Sequence, residues 1–154
     1  MDGSNCQDCA GSPWVQRANQ FISNNRSNPG YGAHLSTIEF LLQNGHCGIN
    51  NRIGIGAILQ YLYQQGYAYS REGFQNNVLT ELKRRGIVAT LVYPGPQGGV
   101  FIPCNQTEIR EVSRQLLSRV VQELTNLEGT ANRTRIQASI QRLRQAAERT
   151  LQGI

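Results

Sequence analysis

Apolar residues return at helical spacing along most of the chain. Trp14, Val15, Ala18, Phe21 and Ile22 predict a first helix, with Ser12 as its cap and Pro13 in its first turn. The turn-rich SNNRSNPGYG closes it. Leu35, Ile38, Leu41 and Leu42 predict a second helix from Ser36 to Asn44, ended by Gly45. Asn51 is placed to cap a third, with Ile55, Ile58, Leu59 and Leu62 on one face and Gly66 as its stop. Tyr67 to Tyr69 read as a small strand. Ser70 caps a fourth helix that runs to Arg85 and stops at Gly86. Its apolar side is Phe74, Val78, Leu79 and Leu82, and its polar side carries Gly73, Asn76, Asn77, Thr80, Lys83 and Arg84.

Beyond Gly86 the pattern changes. Ile87 to Tyr93 and Val100 to Ile102 are rich in β-branched and aromatic residues and predict two strands around the loop PGPQGG. Helical spacing then resumes. A fifth helix starts at Thr107 and carries Ile109, Val112, Leu116, Val120, Leu124 and Leu127, until EGTAN breaks it. A last helix, Arg133 to Gln152, has the narrow stripe Ile136, Ile140, Leu143, Ala147 and Leu151. A stripe that narrow suits a helix lying on a partner helix, so Ile136, Ile140, Leu143 and Leu151 are the expected dimer seam. The expected fold is mainly α with a small β-hairpin. Residues 1–11 show no period and are expected to be disordered. Residues 12–33 form an N-terminal helix and linker, 34–103 the main domain, and 105–154 a C-terminal helical extension.

Three helices followed by a hairpin is the order of a winged helix-turn-helix domain. Residues 34–103 resemble that family, most sharply in SREGFQNNVLTELKRRG, IVATLVY, PGPQGG and VFIP. The connection QQGYAYS is long for a tight helix-turn-helix, which leaves open whether the helix at 53–65 is the first or the second of the three. The resemblance implies a winged-helix core that binds double-stranded DNA. The helix at 70–85 would enter the major groove and the wing at 93–100 would touch the backbone. Asn76 and Asn77 would then read base edges through their amides, with Thr80 beside them. Arg71, Lys83, Arg84 and Arg85 would hold phosphates, Gly73 would leave backbone N–H groups open to one, and Gln97 would sit at the wing tip. A basic last helical turn also has a plainer reading, because cations complement any helix C-terminus.

Composition sharpens this picture. The net charge is +5, the pI about 9.3, and 14 of the 15 cations are Arg, the side chain whose fork fits phosphate and guanine. The last stretch, 132–154, holds five Arg and one Glu, whereas 1–33 is balanced. The N-terminus lacks a leader-like apolar run, and no stretch nears the roughly 20 apolar residues of a membrane span. A cytoplasmic protein with no membrane association is expected. Its four cysteines, Cys6, Cys9, Cys47 and Cys104, would there be reduced. CQDC is a lone C-x-x-C pair, and a metal site would need Cys47, His46 or Cys104 to converge on it. Free thiols are the preferred reading, with no metal and no cofactor.

The inventory disfavours catalysis. Asp occurs only at positions 2 and 8, His only at 34 and 46, and the Glu residues do not cluster. A metal-dependent nuclease needs grouped carboxylates. Neither GIG at 54–56 nor PGPQGG is followed by the Lys-Ser/Thr of a phosphate-binding loop. The expectation is therefore a non-enzymatic, DNA-binding transcription regulator, dimeric through its C-terminal helices. The alternatives are a protein-interaction module and an accessory DNA-binding subunit of a replication, mobile-element or restriction complex.

Overall fold

The computed structural model describes residues 4–91 and 98–154. The described fold is mainly α-helical with one small antiparallel sheet. Helix α1 is Pro13–Asn25. The Ser12 hydroxyl accepts the N–H groups of Trp14 and Val15 and donates to the carbonyl of Pro103 at 2.6 Å. One side chain thus starts the helix and ties it to the end of the hairpin. Helix α2, Gly32–Gln43, buries Ala33, His34, Leu35, Thr37, Ile38, Leu41 and Leu42. Helix α3 is Ile55–Gln64.

Helix α4 covers 71–84, in three parts: an α-turn Arg71–Phe74, a π-turn Gln75–Leu79 and a second α segment Thr80–Arg84. Ser70 caps it by accepting from Gly73 N, and Gly86 leaves it at φ 69°. Phe74, Val78, Leu79 and Leu82 are all buried, as their spacing predicts. They join Ile38, Leu41, Ile58, Leu62, Ile87, Val100 and Ile102 in a single core.

Strands β1, Ala89–Leu91, and β2, Gly99–Phe101, pair antiparallel with Thr90 opposite Val100. The other edge of β2 is also covered. Ile53 and Val100 exchange backbone hydrogen bonds of 2.9 and 2.8 Å. Further along, Gly48 N donates to Ile102 O, and Ile102 N donates to His46 O. The segment 46–53, between α2 and α3, therefore lies along the hairpin. A side chain at Gly99 would come within 2.8 Å of the Ile53 carbonyl oxygen, so only glycine allows this approach. At Gly32 an added Cβ would meet the Tyr67 phenol, so the ring would have to shift.

Residues 4–109 and 110–154 separate as two compact units. The boundary falls inside helix α5, Gln106–Thr130. Asn105 caps it, accepting from Glu108 N. In the second unit α5 is followed by helix α6, Gln137–Gln152. Arg144 of α6 bonds both Glu128 of α5 and Glu148 of its own helix.

Several sequence expectations change. Residues 4–9, expected to be disordered, form a 3-10 turn whose Cys6 and Cys9 are buried. Tyr67–Tyr69 forms no strand, and the Tyr67 ring closes over Gly32 instead. Asn51 does not cap α3: it lies in the 3-10 turn Ile49–Asn51, and its amide donates to Cys47 O. EGTAN breaks the chain later than expected, since α5 runs on to Thr130 and α6 starts only at Gln137. The thiols are not free. Cys6 pairs with Cys47 and Cys9 with Cys104, so that among the described residues no cysteine is unpaired. Ile140 of the expected seam is buried within its own chain, whereas Ile136 and Leu143 are 58% and 60% exposed.

Candidate nucleic-acid interface

The polar face of α4 is built around its π-turn. Asn and Thr compete with helical backbone bonding, which lowers the cost of widening a turn here. Two groups hold the widened turn. The Thr80 hydroxyl donates to Gln75 O at 2.7 Å, and His34 Nε2 lies 3.0 Å from Asn77 O. A carbonyl partner requires a proton on Nε2, which leaves Nδ1 as the bare nitrogen; it is buried without a partner. Burial lowers the His34 pKa from its ordinary value, and the Glu81 carboxylate opposes this from 3.9 Å.

Asn76 and Asn77 emerge from this turn exposed, with no side-chain hydrogen bond among the described residues. Arg71, Lys83 and Arg84 are likewise exposed and make no ion pair there. Partial desolvation lowers the Lys83 pKa. Asn76, Asn77, Lys83 and Arg84 form the open polar face, and Arg71 is exposed in the first turn of the helix.

The remaining candidates are placed differently. Arg85 is exposed but, unlike Lys83 and Arg84, engaged within the chain. Its guanidinium bonds Glu81 at 2.9 Å and Tyr31 Oη at 3.0 Å, and lies 5.1 Å from the Phe21 ring centre. The Glu81 hydrogen bond raises its pKa. The Gly73 N–H is taken by Ser70 Oγ, so it is not open to phosphate. Thr80 is half-buried with its hydroxyl proton directed inward. Gln97 and the wing tip lie outside the described residues. The i,i+4 spacing of Glu81 and Arg85 was readable as an ion pair, but the approach of Tyr31 and Phe21 carried no local signal. Arg17, which had no sequence signal either, donates to Gly86 O at 2.8 Å and seals the end of α4.

Formal charge does not concentrate in this domain. Residues 1–109 hold seven Lys/Arg against six Asp/Glu, and 110–154 hold eight against four. Arg144 is consumed by its two glutamates, while Arg133, Arg135, Arg142 and Arg149 are exposed.

The first unit is therefore a helical domain with a small hairpin and an open amide-bearing face on the third of its three central helices. No family model and no solved structure matches the chain. It is 49% identical over 131 residues to the protein named "Putative control protein C.MjaVP" of Methanocaldococcus jannaschii, a match spanning 82% of this chain and 79% of that relative. The chain belongs to the same family as that control protein. No helix among the described residues is long and apolar enough to cross a membrane.

Proposed function

We propose that the chain is a control protein of the winged-helix kind, which regulates transcription by binding duplex DNA through α4. The observation that carries this reading is the pair of amides, Asn76 and Asn77, without a hydrogen bond among the described residues, on an exposed turn that His34 and Thr80 hold in place. The order α2, the Ile53 bridge, α3, α4 and hairpin supports a winged helix, with α2 as the first of its three helices and Ile53 as its short first strand. The relative's name as a control protein supports a regulatory, non-enzymatic role. In this reading Asn76 and Asn77 meet base edges in the major groove, and Arg71, Lys83 and Arg84 meet phosphates. The hairpin lies beside the duplex as the wing. Arg85, paired with Glu81 and Tyr31, braces the end of α4.

The near-balanced charge of residues 1–109 implies few phosphate contacts per copy. Two copies acting together would raise affinity without new contacts. The exposed Leu116, Leu127, Ile136 and Leu143 of the second unit favour a homodimer joined there.

Anisotropy of a labelled random duplex, titrated at two salt concentrations and followed by selection of a preferred site, tests the reading. Asn76→Ala should lower the preference for the selected site by about 1–3 kcal/mol. Arg84→Ala should weaken all duplexes alike and reduce the salt slope by about one. Equal effects of both substitutions on every sequence would remove Asn76 from base readout. No binding at low salt would leave the protein-interaction reading in its place.

A further inference from the structure

The four cysteines come from three separate parts of the chain and meet in one place. Cys6 and Cys9 lie in the 3-10 turn Ser4–Cys9, where three residues make a turn and positions i and i+3 share a side, with a kink at Cys6 (φ −114°, ψ 26°). Cys47 follows α2, and Cys104 follows β2. All four line one cavity of about 260 Å³, together with Asp8, Gly48, Asn50, Asn51 and Glu108. The backbones that carry them are already close: the Cα atoms of Cys6 and Cys47 are 5.6 Å apart, and those of Cys9 and Cys104 are 4.9 Å apart. The two pairs also adjoin. Gly48, next to Cys47, is so close to the other pair that a Cβ on it would meet Cys104 Sγ at 3.5 Å.

The surroundings hold these loops as a ligand frame would. Gly48 takes φ 92°, a conformation suited to glycine, and its N–H bonds Ile102 O at 2.8 Å. The Glu108 carboxylate accepts Ile49 N and Cys104 N, each at 2.8 Å, and so joins the loop after Cys47 to that of Cys104. His46 does not line this cavity; its Nδ1 faces Asn51 O at 2.8 Å and its ring packs on Phe40.

With the sulfurs paired, none is available to a metal ion. A DNA-binding regulator works in a reducing compartment, where such pairs do not persist in most organisms. We infer that the reduced chain binds one Zn²⁺ through Cys6, Cys9, Cys47 and Cys104, and that this site anchors the N-terminal turn to the base of the hairpin. Four soft thiolates around one small cavity are the donor set of structural zinc. Starting from the paired form, each disulfide takes two electrons and two protons from a thiol reductant, which leaves as its own disulfide. The four thiols then release four protons as Zn²⁺ binds. The anchor has a mechanical purpose. Among the described residues the backbone bonds of Ala10 and Ser12 are local, to Gln7 and Cys9, and the side-chain ties from this segment to the rest of the domain include Ser12 Oγ on Pro103 O, Cys6 Sγ on Leu42 O and the two cysteine pairs.

The test is metal and thiol stoichiometry on the full chain, purified anaerobically without chelator. One zinc per chain, with four thiols titrating after denaturation in chelator, is the expected result. A Cys6→Ser variant should lose its zinc to background, and chelator should lower the melting temperature of the wild type but not of this variant. Should that variant fail to fold, the wild-type stoichiometry decides alone. No metal with no titratable thiol would establish two disulfides and overturn the inference. So would four thiols that stay metal-free in added Zn²⁺, or iron in place of zinc. None of these outcomes depends on whether the protein binds DNA.

Discussion

The two units of the molecule bury apolar surface very differently. In residues 4–109 a helix such as α4 places every apolar side chain of its stripe in the core, with Phe74, Val78, Leu79 and Leu82 at 1% exposure or less. In residues 110–154 only Ala131 and Ile140 are buried among the apolar residues described, although α5 and α6 have apolar stripes as regular as any in the chain. Periodicity reports that a helix has an apolar side; it does not report whether the same chain covers that side. The first unit has four packed helices, α1 to α4, a hairpin and cross-linked loops to do so. The second has two helices, held by Arg144 between Glu128 and Glu148, and leaves Leu116, Leu127, Ile136 and Leu143 uncovered.

The comparison can be broken most directly by truncation. Phe74→Ala should cost about 3–5 kcal/mol in urea denaturation, the range for a large buried aromatic. Leu116→Ala should cost about 0.5 kcal/mol or less in dilute monomer. A large loss at Leu116 under those conditions would mean that the second unit is packed as tightly as the first.

Gly99→Ala should destabilise the first unit by about 1–3 kcal/mol, since the added methyl meets the Ile53 backbone, which cannot move without breaking its pairing with Val100. Equal denaturation midpoints for variant and wild type would show that segment 46–53 is not locked to the hairpin.

The second unit is sharpened by a pair of substitutions. Leu143→Asp should leave helicity unchanged and convert a dimer to monomers in sedimentation, because this side chain is exposed within its own chain. Ile140→Asp should instead reduce helicity, because that side chain is buried there. A wild type that sediments as a monomer at all concentrations would end the idea of a seam.

The smallest effect is a pH dependence confined to the first unit. Burial holds the His34 pKa below its ordinary 6.5. As pH falls through 6.5 the unfolded chain takes up a proton that the folded chain does not. Stability from this group is therefore complete above that pH, declines as pH drops through it, and levels off below the folded pKa. His34→Gln, which keeps a donor for Asn77 O, should flatten the decline in melting temperature on mild acidification. An unchanged slope would show that another group titrates.

Much of the fold was legible from local pattern. Ser12 and Ser70 announced their helices, Gly86 ended one, and the change to β-branched residues after it marked the hairpin. The core face of α4 followed directly from its spacing. The candidate face was half legible: the exposed Asn76, Asn77, Lys83 and Arg84 fall where the wheel puts them. Arg85 follows them without a break in sequence and is exposed as well, yet it is engaged within the chain, because Glu81, Tyr31 and Phe21 offer it a charge, a hydroxyl and an aromatic face.

The amino-acid sequence by itself determined which segments are helical, which faces are apolar and where the chain turns, since each depends on residues a few positions apart. Tertiary structure decided what depends on distant residues. It brought Cys6 and Cys9 to Cys47 and Cys104, laid Ile53 against Val100, and gave Arg85 partners in Tyr31 and Phe21. It also separated a stripe that is covered from one that is not, because burial is a property of what packs on a surface and not of the surface alone.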